Sequence, residues 1–320
     1  MSTTDATART EAAVPERWLS SRRAHASALS CWLLSLVLFW PALTSLANLS
    51  FHDELASHIL LIPLISGFVI YLGRRRIFRT CQYCPSIGLP VLLVAAVLWY
   101  GLSTPISHLN NTNHLSVAAS LIVLTWIGAF ILCYGTKACR AAAFPLLFLF
   151  LMIPLPVVVL QDLASILQRG SAATCYWLFR LAGVPVIRHG FRFSLPGVDI
   201  EVAEQCSGIH AGLSLFIAGL LAQYILLQGA WKKAFFTMCI LPIAMFKNAV
   251  RIVTIAWLGM HVNRDFFHGQ LHRQGGLPFS VLAMALLGML LWLLRRPSSL
   301  LGRKDAAGPL ISEGAVIAKS

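Results

Sequence analysis

Three stretches of this sequence hold side chains that could do chemistry. In Ala203-Glu204-Gln205-Cys206-Ser207-Gly208 a cysteine opens a long apolar run that reads as a helix. A thiol in a helix's first turn feels the positive end of the macrodipole, which favours the nucleophilic thiolate. The same position also suits a small buried hydrophobe, the usual state of a free cysteine. Asn248 and Arg251 lie three residues apart inside another apolar run, so they share one helix face. An arginine inside a membrane costs several kcal/mol and tends to face a polar cavity, although near a helix end it can snorkel to the interface. His261, His268 and His272 crowd a polar stretch that closes with Gly275-Gly276. Imidazole exchanges protons near neutral pH. Thiol, guanidinium and imidazole together are the equipment of acyl transfer: nucleophile, charge stabiliser and proton carrier.

No metal centre is expected. The histidines are widely spaced, without an HExxH pattern or acidic companions, and Cys81 and Cys84 form one CxxC with no second pair. A haem would want histidines facing each other deep within spans, whereas these sit at span ends. The sequence points to no cofactor.

The elements that must position these groups follow from composition. The 320 residues are 58% hydrophobic and only 12% charged, against about 25% charged in soluble domains. That excludes an ordinary soluble globule, a disordered chain and a coiled coil, and no alternating segments of barrel type occur. The expected fold is an all-α polytopic membrane protein of about eight transmembrane helices, roughly 30–49, 55–72, 87–105, 115–134, 141–160, 206–228, 234–259 and 277–294. Pro145, Pro154 and Pro156 should kink the fifth or end it early. Residues 1–29 and 296–320 read as polar tails around a transmembrane domain at 30–295. Arg17, Arg22 and Arg23 precede a first span too long for a signal-peptide core.

Charge sets the expected orientation. Net charge is +13, but the basic residues sit in short clusters between apolar runs, so membrane topology rather than nucleic acid is the expected reason. Arg74, Arg75, Arg76 and Arg79 follow span two, Lys137 and Arg140 span four, Lys232 and Lys233 span six, Arg295 and Arg296 span eight. The loops after spans one and three hold no Lys or Arg, which puts both termini in the cytoplasm of a multi-pass plasma (inner) membrane protein. Residues 161–205 then lie outside. Gln161 to Leu181 reads as an amphipathic surface helix, with Leu163, Ile166, Leu167, Cys175, Leu178 and Phe179 on one side and Arg169, Ser171 and Arg180 on another. Val184 to Val202 reads as short strands, a β-hairpin turning at Pro196-Gly197. Arg169, Arg180, Arg188 and Arg192 break the positive-inside pattern, as long outer segments tolerate and as a functional basic surface would also do. In this topology Cys206, Arg251 and a histidine before span eight reach the same depth on the outer side.

At these residues the sequence resembles the exosortase/archaeosortase family of polytopic membrane cysteine transpeptidases. Val202-Ala203-Glu204-Gln205-Cys206-Ser207-Gly208-Ile209 is similar to the family's VAExCSG(I/L) block. Asn248-Ala249-Val250-Arg251-Ile252 is similar to its NxxRI block, and Gly269 to Gly276 to a GxxH followed by paired small residues. The similarity covers roughly residues 30–295. It implies a triad in which Cys206 forms a thioester with the substrate, Arg251 stabilises thiolate and oxyanion, and His272 protonates the leaving amine and later activates the acceptor. Implied partners are C-terminal sorting signals of secreted proteins (recognition motif, membrane span, basic tail), membrane lipid, and a lipid or glycan acceptor.

Glu204, Ser207, His210 and Asn248 are the expected substrate-binding residues beside the triad. Asp199, Glu201 and Glu204 could read the substrate or pair with Arg188 or Arg192. His268, four residues before His272, is the alternative base. His210 stands where the family often has arginine, at i+4 from Cys206, and Lys247 is a further departure. Two other functions are consistent with these residues: a transporter whose Arg251 and Lys247 bind an anionic solute, and a histidine-dependent membrane acyltransferase.

Overall fold

The computed structural model describes residues 23–79, 81–106, 111–196, 198–202, 208–262 and 276–295. Among them the chain forms helices α1 (Arg23–Leu38), α2 (Trp40–His52), α3 (Leu61–Leu72), α4 (Arg74–Ile77), α5 (Pro85–Ile106), α6 (Asn111–Ala141), α7 (Ala143–Phe148), α8 (Val157–Leu181), α9 (Ile209–Leu226), α10 (Ala230–His261) and α11 (Gly276–Arg295). Between α8 and α9 lie strands β1 (Ile187–His189), β2 (Arg192–Leu195) and β3 (Val198–Glu201).

Among the described residues five helices are long and apolar enough to cross a membrane, or up to seven if each bent pair is one span, so the expected count of eight is not confirmed. The first expected span, 30–49, is split by a 76° bend between α1 and α2. Pro41 in the first turn of α2 has no N–H to continue the ladder of α1. The third falls on α5, whose apolar part, Pro85–Gly101, is short. The fifth, expected at 141–160, is α7 and one 3₁₀ turn, Leu149–Met152, before the chain bends by 96° into α8. Ile153 is extended there, as the residue before Pro154 must be, and Pro156 has ψ 146° at the start of α8.

Each break needs partners for its freed backbone groups, since a membrane interior supplies none. Helix α6 supplies them at the α7–α8 bend: Ser116 donates to the Pro154 carbonyl at 2.7 Å, and Asn113 Oδ1 accepts from Val157 N–H at 3.3 Å. Within α6, Gly135 leaves the helical region at φ 83°. The carbonyls of Leu132 and Tyr134 then accept from Cys84 and Gln82 N–H at 3.1 and 3.3 Å, so the chain around the CxxC runs against the interrupted helix. Burial raises the Cys81 thiol above its ordinary pKa, and the two thiols meet different partners, Phe78 carbonyl and Ser86 hydroxyl.

The expected hairpin is one strand larger. Residues 187–201 form a three-stranded antiparallel sheet in the order β1-β2-β3, because Gly190 at φ 65° provides a second tight turn besides the one at Pro196. Phe193 pairs with Arg188 on one side and Ile200 on the other. The sheet buries Phe193 and Leu195 against Cys175 and Phe179 of α8 and Ala249 and Ala256 of α10. Helix α10 also packs on α9 and α11. Its 32 residues make it about 48 Å long, more than the ~30 Å of bilayer hydrocarbon. The sheet is held by the half of α10 nearer His261. A second apolar cluster joins α1–α3 to α6 and α7, and Phe144 of α7 stacks on Tyr224 of α9 at 3.8 Å between ring centroids, linking the two halves.

Helices α5 and α6 approach closely at Gly88, where an added Cβ would lie 2.6 Å from the Leu132 backbone. Gly88→Ala should cost about 1–3 kcal/mol of stability. Gly67→Ala, whose Cβ would meet open space, should be neutral or slightly stabilising. Thermal unfolding of both variants in detergent checks this pair.

Candidate functional site

The site grows from the place where α8, α9 and α10 meet. On α10, Met245, Ala249, Ile252 and Ala256 face α8 and the sheet, while Phe236, Ile240 and Ala244 face α9 and α11. At 3.6 residues per turn Lys247 and Arg251 fall on the second of these faces, and Asn248 at its edge. Asn248 is 1% exposed. Its Nδ2 donates to the Ser171 hydroxyl of α8 at 3.1 Å. On its other side lies Gly208, the residue before α9, where an added Cβ would stand 3.1 Å from Asn248 Cγ and Oδ1. Gly208 has φ 73°, a left-handed conformation that a side chain would strain. Its carbonyl accepts the first bond of α9, from Gly212 N–H at 2.8 Å.

The strand side is held just as firmly. Val202, directly after β3, is 1% exposed. Its N–H donates to the Phe191 carbonyl at 3.0 Å, and its carbonyl accepts from Gln168 Nε2 of α8 at 2.6 Å. Both ends of the segment carrying the cysteine motif are therefore anchored, Val202 to α8 and the sheet, Gly208 to α10. Glu204, Cys206 and Ser207 lie outside the described residues, as do His268 and His272.

Of the expected residues that are described, Asn248 is buried at the three-helix joint and Arg251 is half-buried one turn further along α10. His210 is exposed in the first turn of α9. Lys247 is 4% exposed and within electrostatic reach of Arg251. His261 is exposed at the end of α10, with its imidazole stacked on Trp257. Glu201 pairs with Arg192 across β2 and β3 at 3.0 Å, both exposed, which answers one question about the acidic residues. Of the four arginines between 169 and 192, three have local contacts: Arg192 with Glu201, Arg180 over Tyr176, and Arg188 over Phe193 and on the Gly190 carbonyl.

Four participants received no role of their own in the sequence reading. Ser171 was expected on the polar side of the amphipathic helix with Arg169 and Arg180; it is fully buried and holds Asn248. Gln168, which anchors Val202, and Gly208, whose left-handed backbone starts α9, carry no distinctive local signal beyond the glycine itself. His58, ahead of α3, faces the carbonyls of Leu55 and Leu151 and lies within electrostatic reach of His210. Only its place at the start of a span marked it. Among the described residues no group of three or more His, Cys, Asp or Glu could hold a metal ion.

Comparison with protein families gives one match: the family described as transmembrane exosortase, over residues 50–289. No curated protein and no solved structure matches the chain.

Asn248→Ala removes the donor to a buried hydroxyl and the surface on which Gly208 rests, and should cost about 1–3 kcal/mol. Ser171→Ala should cost less, and the double variant should show coupling of about 1 kcal/mol. Thermal unfolding of the single and double variants measures it.

Proposed function

The chain belongs to the transmembrane exosortase family, and on that premise we propose that it is a cysteine transpeptidase that cuts C-terminal sorting signals outside the cytoplasm. In this reading the Cys206 thiolate attacks the scissile carbonyl, and the electron pair passes to the carbonyl oxygen. Arg251 stabilises first the thiolate and then that oxyanion. Collapse breaks the C–N bond, His272 delivers a proton to the leaving amine, and the substrate's new C-terminus remains as a thioester on Cys206. An acceptor nucleophile (water, a lipid amine or a glycan hydroxyl) loses its proton to His272, attacks the thioester and releases the thiolate. Glu204, Ser207 and His210 line the approach to this centre, and Asn248 supports it from the buried joint rather than touching substrate.

The observation that supports the reading most is the packing of Gly208 on Asn248. Gly208 is two residues past Cys206, and Asn248 is one helical turn before Arg251. A thiol and a guanidinium far apart in sequence thus belong to segments in direct contact. We further propose a multi-pass protein of the plasma (inner) membrane with both termini in the cytoplasm, which the alternation of basic loops supports.

Co-expression with a tripartite-signal substrate tests the mechanism. Cys206→Ala and Arg251→Ala should each lower cleavage by about 10³-fold or more, and of His272→Ala and His268→Ala only the first should do so. Wild-type protein should yield a hydroxylamine-sensitive adduct at Cys206. Cleavage that survives Cys206→Ala would overturn the nucleophile and the mechanism with it.

A further inference from the structure

Lys247 is the buried group that the mechanism leaves unused. It is 4% exposed, and it makes no hydrogen bond and no ion pair among the described residues. The ion pair found among the described residues lies on the sheet, between Arg192 and Glu201. Lys247 shares its helix face with Arg251, one turn further on, and the two are within electrostatic reach. The same face packs below it, through Phe236, Ile240 and Ala244, on Leu215 of α9 and Ala283 and Leu287 of α11. Lys247 thus lies on the face of α10 turned toward α9 and α11, one residue before the Asn248 that meets Gly208. Mostly buried and beside a second cation, Lys247 carries its charge favourably only when an anion sits against it.

Depth limits which anion can reach it. At the other end of α10, Lys232 donates to the carbonyl of Leu294 near the end of α11, where Lys233 and Arg295 also gather, so this level marks one membrane boundary. Fifteen residues separate Lys232 from Lys247, about 22 Å of helix, which places Lys247 inside ~30 Å of hydrocarbon. A headgroup phosphate of the far leaflet lies beyond that thickness. A carboxylate carried by a peptide that itself enters the membrane can descend to this level.

We propose that Lys247 is a specificity-determining residue that seats an acidic side chain of the peptide substrate, close to the bond that is cut. The seat rests on the reading of the substrate as a peptide continuing into a membrane span. Its ligand is a Glu or Asp carboxylate, received by the ammonium as a charge-assisted hydrogen bond beside the Arg251 guanidinium. The seated acid fixes the register of the chain entering from the membrane.

Binding, not turnover, tests this. Cys206→Ala protein in phosphatidylcholine nanodiscs is titrated with fluorescent sorting-signal peptides that include the membrane span. One Glu is walked through the residues preceding the span of an otherwise acid-free sequence, each peptide against its Gln twin. At one position or two adjacent ones the Glu peptide should bind about tenfold tighter. Lys247→Met should erase that difference, and Lys247→Arg should retain it. No Glu preference at any position, a preference that survives Lys247→Met, or equal weakening of both twins would each overturn the seat. So would a dependence on Lys247 that appears only with phosphatidylglycerol in the disc, which would make the ligand a lipid phosphate. The Lys247-dependent preference without cleavage by wild-type protein would overturn the transpeptidase reading and leave the seat standing.

Discussion

Asn248 touches two other helices at once, through a hydrogen bond to Ser171 of α8 and a van der Waals contact with Gly208 ahead of α9. With 1% of its surface exposed, it cannot exchange these contacts for water. A buried amide left without partners costs about 1–3 kcal/mol, so the three helices are tied to one relative placement. The constraint propagates. Fixing α8 against α10 fixes the Phe179 surface on which Phe193 of the sheet packs. Fixing Gly208 fixes where α9 begins and how far the preceding segment can stray. Glycine is needed at 208 twice over, for the left-handed backbone and for the room that Asn248 occupies.

The breaks in the helices serve the same joint. A straight continuation of α7 would carry residues 157–181 across the bilayer as an ordinary span. The bend of 96° instead turns α8 so that Gly170 lies on Met245, Ser171 on Asn248 and Cys175 on the Ala249 carbonyl. The bend is tolerable because α6 satisfies the freed backbone through Ser116 and Asn113. Helix α6 is itself interrupted at Gly135, and its spare carbonyls are taken by residues 82 and 84. In hydrocarbon, irregular backbone survives only against other protein, so each irregularity here is matched to a neighbour that completes it.

What the sequence revealed, and what it hid, divides along physical lines. Hydropathy reads the free energy of moving side chains out of water, so the apolar runs and the places of α3, α9, α10 and α11 were legible to within a few residues. The same signal is blind to direction inside a run. It placed 30–49 as one unbroken span, although Pro41 stops the ladder within it, whereas the prolines at 154 and 156 marked 141–160 as a span that kinks or ends early, as it does. Asn248 and Arg251 stood out because a polar group in an apolar run is costly. Ser171 and Gln168 did not, because on an amphipathic helix a polar residue reads as solvated. Both instead face protein, and only the fold shows that Ser171 meets Asn248 and Gln168 meets the Val202 carbonyl. The third strand escaped because strands of three and four residues carry almost no periodicity of their own.

A thiol's reactivity follows from its surroundings, and here position separates one cysteine from the others. Seven cysteines are described, all free. Cys175 is fully buried and donates to the Ala249 carbonyl, and Cys133 is buried as well. Such thiols pack as small hydrophobes. Cys206 belongs to a different setting, a segment of a few residues between two anchored ends. A short chain with fixed ends has few conformations open to it, and the first turn of any helix leaves backbone N–H groups without ladder partners. If Cys206 is the nucleophile, the rigidity invested at Val202, Asn248 and Gly208 has a direct chemical purpose. It fixes both ends of the segment that carries the thiol, one of them on Asn248, one helical turn before Arg251.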